Sequence, residues 1–176
     1  MALRQPNNVF YFTAVMYSSQ LMTAPELSLR ATHEIIAAIF PQLGLQSAVF
    51  AFDHTEYYTP EMGAGLKKYF IAFGAPAEPS RLPEYKHAAL AAEAQYSKHN
   101  SRTINIDPGY LAEEKIVVAS TKNFTHRIYL ADGIFGDLQL MRQRGDYSAM
   151  PWTYADYVRP ESIAFFEQLY SILHKS

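Results

Sequence analysis

The chain contains no cysteine among its 176 residues. This absence excludes disulfide bonds, thiolate catalysis, iron–sulfur clusters and thiolate zinc sites. A large excess of charge is missing as well, because 15 Lys and Arg residues face 17 Asp and Glu residues, for a net charge of −2. A nearly neutral protein has no overall field that attracts nucleic acid or an anionic membrane, so we expect neither as a partner.

Long apolar runs are also absent. None approaches the roughly 20 residues that a membrane-spanning helix needs, and the first eight residues lead into a strand-like segment without the apolar stretch of a signal peptide. We therefore expect a cytoplasmic protein. With 49% hydrophobic and 14% aromatic residues, the chain can build a sizeable core, and we predict one globular domain over residues 1–176.

The hydrophobic pattern of the first two thirds alternates between strand and helix periods. It predicts strands at residues 9–17, 47–52, 66–73 and 103–106, a helix from a capping box at 23–26 to Pro41, and a helix from 79 to about 100. The order β-α-β-β-α-β is that of the ferredoxin-like fold. A doubly wound α/β sheet is the alternative, but two consecutive strands argue against strict alternation.

The last third contains one ambiguous segment. In residues 110–122, the run Ile116-Val117-Val118 favours a strand, whereas residues 111–115 favour a helix, and we predict a helix. Residues 127–142 read as a hairpin that turns at Asp132-Gly133, a pair typical of type I′ turns, and residues 161–174 as a final helix. The predicted class is α+β, with a ferredoxin-like core extended by a helix, a hairpin and a C-terminal helix.

A first polar cluster follows the second predicted strand. His54 is a candidate acid/base near neutral pH, and Asp53 is a candidate group to orient its ring. Asp53 and Glu56 also have the spacing of a capping box, so Asp53 has a structural alternative.

A second cluster, Lys122, His126 and Arg127, leads into the predicted hairpin. His126 is a further catalytic candidate, and Lys122 and Arg127 are candidate contacts for an anion. On an alternating strand His126 and Arg127 point to opposite faces. They can therefore share a pocket only at a strand end or a bulge.

Three more residues are candidate ligand contacts. Lys67 follows a glycine-containing loop, and Tyr110 follows Asp107-Pro108, which resembles a helix N-cap with proline in the first turn. Such a helix start would also attract anions. In a ferredoxin-like sheet, Asp53, His54 and Lys67 would lie at one edge and Asp107 with Tyr110 at the other, which predicts two separate sites or one site and one structural motif.

Recognisable cofactor motifs are missing. The chain has no phosphate-binding P-loop, no Gly-x-Ser-x-Gly nucleophile elbow and no pair of metal ligands at the helical spacing of a zinc motif. We assign no metal ligand, and the sequence specifies no cofactor, reaction or oligomeric state.

Several motifs occur together in a fixed order. They occupy residues 52–58, 61–63, 107–110, 121–122, 126–130, 132–134 and 151–154. This string resembles domain of unknown function 4416, a prokaryotic family whose activity is not established. The resemblance marks these positions as a group and assigns no role to any of them.

Three functional hypotheses are compatible with these residues. The first is a small-molecule enzyme or ligand-binding domain for an anionic compound, phosphorylated compounds included. The second is a non-catalytic protein-interaction module whose polar clusters are capped turns. The third is a metal-dependent hydrolase.

Overall fold

A computed structural model of the chain describes residues 3–18, 25–97 and 101–174. The first part contains β1 (Val9–Ser18), α1 (Pro25–Ile39), β2 (Leu43–Gln46), β3 (Phe50–Ala51), α2 (Thr59–Met62), β4 (Leu66–Ala77), a 3₁₀ helix (Pro79–Arg81), α3 (Leu82–Gln95) and β5 (Ile104–Leu111). The second part contains β6 (Lys115–Ser120), β7 (Arg127–Ala131), β8 (Ile134–Gln143), β9 (Asp146–Ala149), a 3₁₀ helix (Ala155–Val158) and α4 (Pro160–Leu173).

The central strand β1 explains the layering of the fold. All of its residues are buried, because both of its faces are covered. Tyr11, Val15 and Tyr17 pack on one face with side chains of α1 and α3. Phe12 and Ala14 pack on the other face with side chains of α4. The sheet therefore lies between two helical layers.

The ferredoxin-like core is confirmed by the sheet topology. The order β2-β4-β1-β5 is the arrangement that a β-α-β-β-α-β unit adopts. The described pairings within it are antiparallel, which excludes the doubly wound parallel sheet. Strands β6, β8 and β7 continue the same sheet beyond β5, and β9 pairs with β8.

The helix predicted for residues 110–122 is wrong. β5 continues to Leu111, and β6 occupies residues 115–120. Its β-branched run Ile116-Val117-Val118 is buried, with β5 on one side of the strand and β8 on the other. Burial between two neighbours favours β-branched residues in a strand and outweighs the helical preference of the short segment before it.

Asp107-Pro108 is therefore not a helix start, because both residues lie inside β5. Pro108 pairs with Thr13 of β1, but it lies outside the β5–β6 ladder, which begins at Gly109. A proline lacks the backbone N–H that a ladder needs, so it is tolerated where a strand has a neighbour on one side only.

Other boundaries differ from the sequence prediction by a few residues. Of the strand predicted at 47–52, only Phe50–Ala51 is a strand, β3, and β2 lies before the predicted range, so that residues 47–49 separate the two. At this break Ser47 exchanges hydrogen bonds with Phe70, donating its N–H to Phe70 O and accepting the Phe70 N–H on Oγ, both at 2.9 Å. The capping residues Thr23 and Ala24 and the predicted helix end at Asn100 lie outside the described residues.

The predicted hairpin is confirmed. β7 and β8 pair antiparallel around Asp132-Gly133, whose φ angles are 50° and 76°. Two consecutive positive φ angles are what a type I′ turn requires. The final helix is also confirmed, as α4.

A split in the sheet positions the site. β5 and β6 pair only from Gly109 to Leu111, opposite residues 118–116. Towards Ile104, β5 pairs with β1, while β6 stays paired with β8, so the two strands diverge. The divergence opens a cavity within the sheet itself.

Candidate functional site

The cavity in the split has a volume of about 680 Å³, which is the size of a small-molecule pocket. We call it the split-sheet cavity. Its lining comes from α3 and from the segments on both sides of the split. The lining residues are Phe52, His54, Thr55, Tyr57, Tyr58, Lys68, Lys86, Leu90, Glu93, Arg102, Asn105, Asp107, residues 118–124, His126, Arg127, Asp137, Trp152, Tyr154, Asp156 and Tyr157.

On one wall, Asp156 lies between a lysine and a histidine. Its Oδ2 lies 2.6 Å from Nζ of Lys68, and its Oδ1 lies 3.8 Å from Nε2 of His54. Asp156 comes from the 3₁₀ helix before α4, whereas Lys68 lies on β4. This carboxylate is the one within ion-pair distance of His54 among the described residues.

On the other wall, Asp137 of β8 has the same arrangement. Its Oδ2 lies 2.7 Å from Nε of Arg127, and its Oδ1 lies 3.5 Å from Nε2 of His126. Gln139 donates a hydrogen bond of 2.7 Å to Oδ1, and Tyr154 donates one of 3.3 Å to Oδ2. His126 and Arg127 reach the same carboxylate because they stand at the start of β7, where strict alternation has not begun.

Each histidine is thus paired with a buried carboxylate that also binds a cation. A carboxylate beside an imidazole nitrogen can hold the ring in one orientation. The lysine or arginine bound to each carboxylate balances its charge, which makes burial of the carboxylate tolerable.

Asp107 lies deeper in the cavity. Its Oδ1 accepts a hydrogen bond of 2.8 Å from Lys86, and its Oδ2 accepts one of 2.6 Å from Asn105. Burial raises the pKa of this carboxyl, but the positive charges of Lys86 and Lys68 outweigh that effect and hold the pKa below its usual value. Asp107 is therefore an ionised group in the cavity at neutral pH.

Arg102 is the centre of a network of hydrogen bonds and ion pairs that adjoins Asp107 through Asn105. It donates to both carboxylate oxygens of Glu61 at 2.6 and 2.8 Å, to Oε2 of Glu93 at 3.2 Å and to Oδ1 of Asn105 at 2.7 Å. Glu93 also accepts the backbone N–H of Ile106 at 2.6 Å. Burial raises the pKa of Glu93, and the charge of Lys86 partly offsets the increase. These groups satisfy one another, so we assign this network a structural role.

Three tyrosine hydroxyls lie among these carboxylates. Burial, reinforced by the charge of Asp107, raises the pKa of Tyr58 to about 12. Burial raises the pKa of Tyr154 and Tyr157 as well, and nearby carboxylates add to the shift. Tyr157 is buried, and its hydroxyl has no hydrogen-bond partner among the described residues. A buried hydroxyl usually has a partner, so this one is an exception among the buried polar groups of the described residues.

The mouth of the cavity is formed by two loops. The Nζ of Lys122 donates a hydrogen bond of 3.1 Å to the hydroxyl of Tyr57 and lies 5.4 Å from the centre of its ring. Trp152, on the wall beside it, stacks on His126 with ring centres 4.7 Å apart and an angle of 11° between the planes. Its indole N–H donates to Leu138 O at 2.8 Å.

The structure brings five of the predicted site residues into one cavity. They are His54, Asp107, Lys122, His126 and Arg127. The expected separation of Asp107 from His54 is not found. It was derived from the four-stranded core alone, whereas β6 and β8 place the second polar cluster on the far side of the same opening.

Three predicted site residues lie elsewhere. The carboxylate of Asp53 is 71% exposed and lies 3.4 Å from Arg159, so it does not orient His54. Lys67 and Tyr110 are outside the cavity lining. On β4, successive side chains point to opposite faces, and Lys68 is the lysine that reaches the cavity.

Sequence reasoning missed Lys68, Asp137 and Asp156. Asp137 had a usable signal, because it is a lone carboxylate within the apolar pattern of a predicted strand, and such a group needs a partner when buried. Asp156 had no comparable signal, since its burial depends on α4 packing against the sheet.

Among the described residues, no group of three or more His, Asp or Glu side chains is placed to hold a metal ion. No helix in the described parts of the chain is long and apolar enough to cross a membrane.

A family profile described as a domain of unknown function (DUF4416) matches residues 9–172. The chain belongs to the DUF4416 family. The matched range includes every element that lines the split-sheet cavity, so the cavity lies within the DUF4416 domain. No curated protein and no solved structure matches the chain. Any functional statement about this DUF4416 protein therefore depends on the chemistry of the cavity.

Proposed function

We propose that the split-sheet cavity binds a small anionic molecule, phosphorylated compounds included, and that His54 and His126 act on it as acid and base. One observation carries this proposal: two histidine–carboxylate pairs, His54 with Asp156 and His126 with Asp137, line one cavity from opposite sides. A reaction that uses a general acid and a general base together needs two proton-transferring groups within reach of one substrate, and two histidines in one cavity can supply them.

The proton chemistry follows from the pairing. Histidine exchanges protons near neutral pH, and a neighbouring carboxylate can hold the ring in one orientation. Asp156 replaces Asp53 as the residue that orients His54. With a ligand between them, one imidazole can accept a proton while the other donates one.

The preference for an anion rests on Lys122. Its ammonium contacts the Tyr57 hydroxyl, and within the described parts of the chain no carboxylate lies within ion-pair distance of it. Lysine binds phosphate and carboxylate groups as a point charge. Arg127 on the same side is already paired with Asp137, so Lys122 is the cation that is available to a ligand.

Tyr157 gives a second, independent indication of a ligand. Its buried hydroxyl lacks a protein partner among the described residues, and the charges of Asp156, Asp107 and Asp137 all act on it. Tyr157 is among the residues that line the cavity, and a ligand oxygen that reaches its hydroxyl would complete its hydrogen bonding.

Fluorescence of the single tryptophan tests the proposal, because Trp152 stacks on His126 in the cavity wall. The probes are inorganic phosphate, a nucleoside monophosphate and a sugar phosphate, each titrated into the intact protein with and without Mg²⁺ or Zn²⁺. We expect a saturable fluorescence change and a higher melting temperature with at least one phosphate-bearing probe.

The variants make the result specific. Lys122→Met should weaken binding of that probe at least tenfold, whereas Lys67→Met removes a lysine outside the cavity and should leave binding unchanged. In a nitrogen-15 NMR experiment, the imidazole signals of both His54 and His126 should shift on saturation. No response to any probe, or an equal loss of affinity in both lysine variants, would overturn the proposal.

The two alternative hypotheses give different results in the same experiment. A metal-dependent hydrolase requires the divalent ion alone to raise the melting temperature and to perturb Trp152. A non-catalytic interaction module requires no response to any of these probes.

A further inference from the structure

Two consecutive residues of the split-sheet cavity, Asp156 and Tyr157, have polar atoms without hydrogen-bond partners. Both residues line the cavity, and they are only 2% and 1% exposed. Among the described residues, Oδ2 of Asp156 and the hydroxyl of Tyr157 have no hydrogen-bond partner. Buried polar atoms are usually paired, so two unpaired ones on consecutive cavity residues indicate a place where a ligand supplies the missing partner.

The charge of Asp156 is already balanced. Its Oδ2 lies 2.6 Å from Nζ of Lys68, yet this contact does not serve Oδ2 as a hydrogen bond. The ion pair therefore neutralises the carboxylate and leaves Oδ2 able to accept a hydrogen bond. A further cation at this point would lie beside the ammonium of Lys68 and be repelled by it. The partner that suits Asp156 is a neutral donor.

The hydroxyl of Tyr157 is a donor held in a fixed position. Burial, reinforced by the charge of Asp156, raises the pKa of this phenol well above its usual value, so the phenol keeps its proton at neutral pH. The centre of its ring lies 5.1 Å from that of Phe70 and 5.7 Å from that of Phe166. The packed ring therefore presents a neutral O–H group that needs an acceptor.

An alcohol hydroxyl satisfies both atoms at once. It accepts a hydrogen bond from Tyr157 and donates one to Asp156. An ammonium cannot accept, and it leaves the phenol proton unpaired. A phosphate or carboxylate oxygen cannot donate, and it is repelled by Asp156. Water can fill the same place when no ligand is bound, and a ligand that displaces it must carry a hydroxyl group.

The contact for an anion lies at another point of the same cavity. Of the lysines and arginines in the lining, Lys122 is the one with no carboxylate within ion-pair distance among the described residues. The cavity volume of about 680 Å³ is enough for a small molecule that uses both places. Such a molecule carries an anionic group and at least one hydroxyl.

We propose that the ligand of the split-sheet cavity is a phosphorylated sugar or polyol, whose phosphate contacts Lys122 and one of whose hydroxyls binds between Tyr157 and Asp156. This proposal rests on the proposed function, which supplies the anion contact, and adds the class of the ligand. Oδ1 of Asp156 lies 3.8 Å from Nε2 of His54. The bound hydroxyl is therefore next to the carboxylate of one proposed acid/base pair.

Matched phosphate esters test the proposal in the wild-type protein. Glycerol 3-phosphate and propyl phosphate differ only in hydroxyl groups, and so do glucitol 6-phosphate and hexyl phosphate. Each is titrated against the fluorescence of Trp152, which stacks on His126 in the cavity wall. In at least one pair we expect the polyol phosphate to bind at least about tenfold more tightly, because each hydrogen bond to a buried partner is worth roughly that factor. Equal or tighter binding of the alkyl phosphate in both pairs would overturn the proposal.

Tyr157→Phe removes the hydroxyl and keeps the ring. Because this hydroxyl has no partner among the described residues, the variant should unfold at the same temperature as the wild type. It should bind the preferred polyol phosphate about tenfold more weakly and inorganic phosphate with unchanged affinity. Tyr147→Phe is the control, since it removes a tyrosine hydroxyl outside the cavity lining, and it should bind like the wild type. A preference for the polyol phosphate that survives in Tyr157→Phe contradicts the proposal.

The outcomes separate this proposal from the one on which it rests. If polyol and alkyl phosphates bind equally and Lys122→Met weakens both, the anion contact stands and the ligand class is wrong. If no phosphate compound binds, both proposals fail. A nucleoside monophosphate that binds more tightly than both polyol phosphates, and equally well to Tyr157→Phe, would indicate recognition of a base and overturn the assignment to a sugar or polyol.

Discussion

The ammonium of Lys68 lies 2.6 Å from Oδ2 of Asp156, and the two side chains are only 7% and 2% exposed. Lys68 belongs to β4 in the ferredoxin-like core, and Asp156 to the segment just before α4. This ion pair therefore joins the first part of the fold to its last helix, at the place where Asp156 also contacts His54.

Replacing Lys68 with methionine should strongly destabilise the protein. The substitution leaves the Asp156 carboxylate buried without its closest cation, and removing one partner of a buried ion pair costs about 3–5 kcal/mol. We expect urea unfolding at neutral pH to show a loss of this size in the free energy of unfolding.

Lys67→Met is the matched control, because the neighbouring lysine is only partly buried and lies outside the cavity. We expect it to change the free energy of unfolding by less than about 0.5 kcal/mol. Similar losses in the two variants would show that the Lys68–Asp156 contact has no special role.

Replacing Gly109 with alanine should disrupt the point at which β5 and β6 separate. A Cβ atom there would lie 2.7 Å from Cζ of Phe12 and 2.7 Å from the backbone oxygen of Val117. Because the backbone oxygen belongs to the paired strand, relief requires the strands to move, and such overpacking costs about 1–3 kcal/mol.

Gly44→Ala is the comparison for this experiment. Its new Cβ would meet Ala72 O at 3.7 Å, an ordinary contact, so we expect no loss of stability in thermal unfolding. Gly109→Ala should in addition weaken binding of the phosphate-bearing probe, because it alters the opening of the cavity.

The Asp107 carboxyl should give the protein part of its sensitivity to acid. Burial raises the pKa of this carboxyl, but the positive charges of Lys86 and Lys68 lower it by more than burial raises it, so the net shift is downward. A lowered pKa contributes stability that is present above the ordinary value of 3.8 and is lost as the pH falls through the lowered value.

Asp107→Asn removes this contribution. We expect the variant to be less stable than the wild type by about 3 kcal/mol at neutral pH, because Lys86 loses its carboxylate. The difference should shrink below about pH 4. Urea midpoints measured at several pH values test this, and a difference that stays constant with pH would contradict it.

Tyr58 should contribute to unfolding in alkali. Its pKa is raised to about 12, chiefly by burial and then by the charge of Asp107. A raised pKa means that the contribution of the neutral phenol is fully present below its ordinary value of 10 and is lost as the pH rises through about 12.

Tyr58→Phe cannot ionise, so above pH 10 it should lose less stability than the wild type. The two proteins should be equally stable near pH 8, where the phenol is neutral and makes no hydrogen bond with the described residues. Thermal unfolding across this range is the measurement. Parallel alkaline curves for the two proteins would show that the pKa of Tyr58 is the same in the folded and unfolded states, which contradicts the prediction.

The ferredoxin-like half could be predicted because its strands and helices have clear periods and clear punctuation. In the second half the hairpin and the final helix were predicted as well. β6 was not, because residues 111–115 and 116–118 have opposite preferences, and the pairing of β6 with β8 decides between them. Asp107-Pro108 has the local signature of a helix start. Only the pairing with the neighbouring strands shows that these residues lie inside β5, directly before the β5–β6 ladder begins.

The site was predictable to the same degree. His54 and His126 stand in recognisable polar clusters, but the carboxylates that hold them come from β8 and from the segment before α4. These contacts join residues 11 and 102 positions apart in the chain. No spacing rule describes contacts of that kind, since they arise from packing of the whole sheet.

The point at which β5 and β6 separate determines the depth of the split-sheet cavity. Two more residue pairs in the β5–β6 ladder would shorten the opening by about 7 Å, and two fewer would deepen it by a similar amount. Because the ladder begins at Gly109, directly after Pro108, two neighbouring residues of β5 set the depth of the cavity independently of the surface loops.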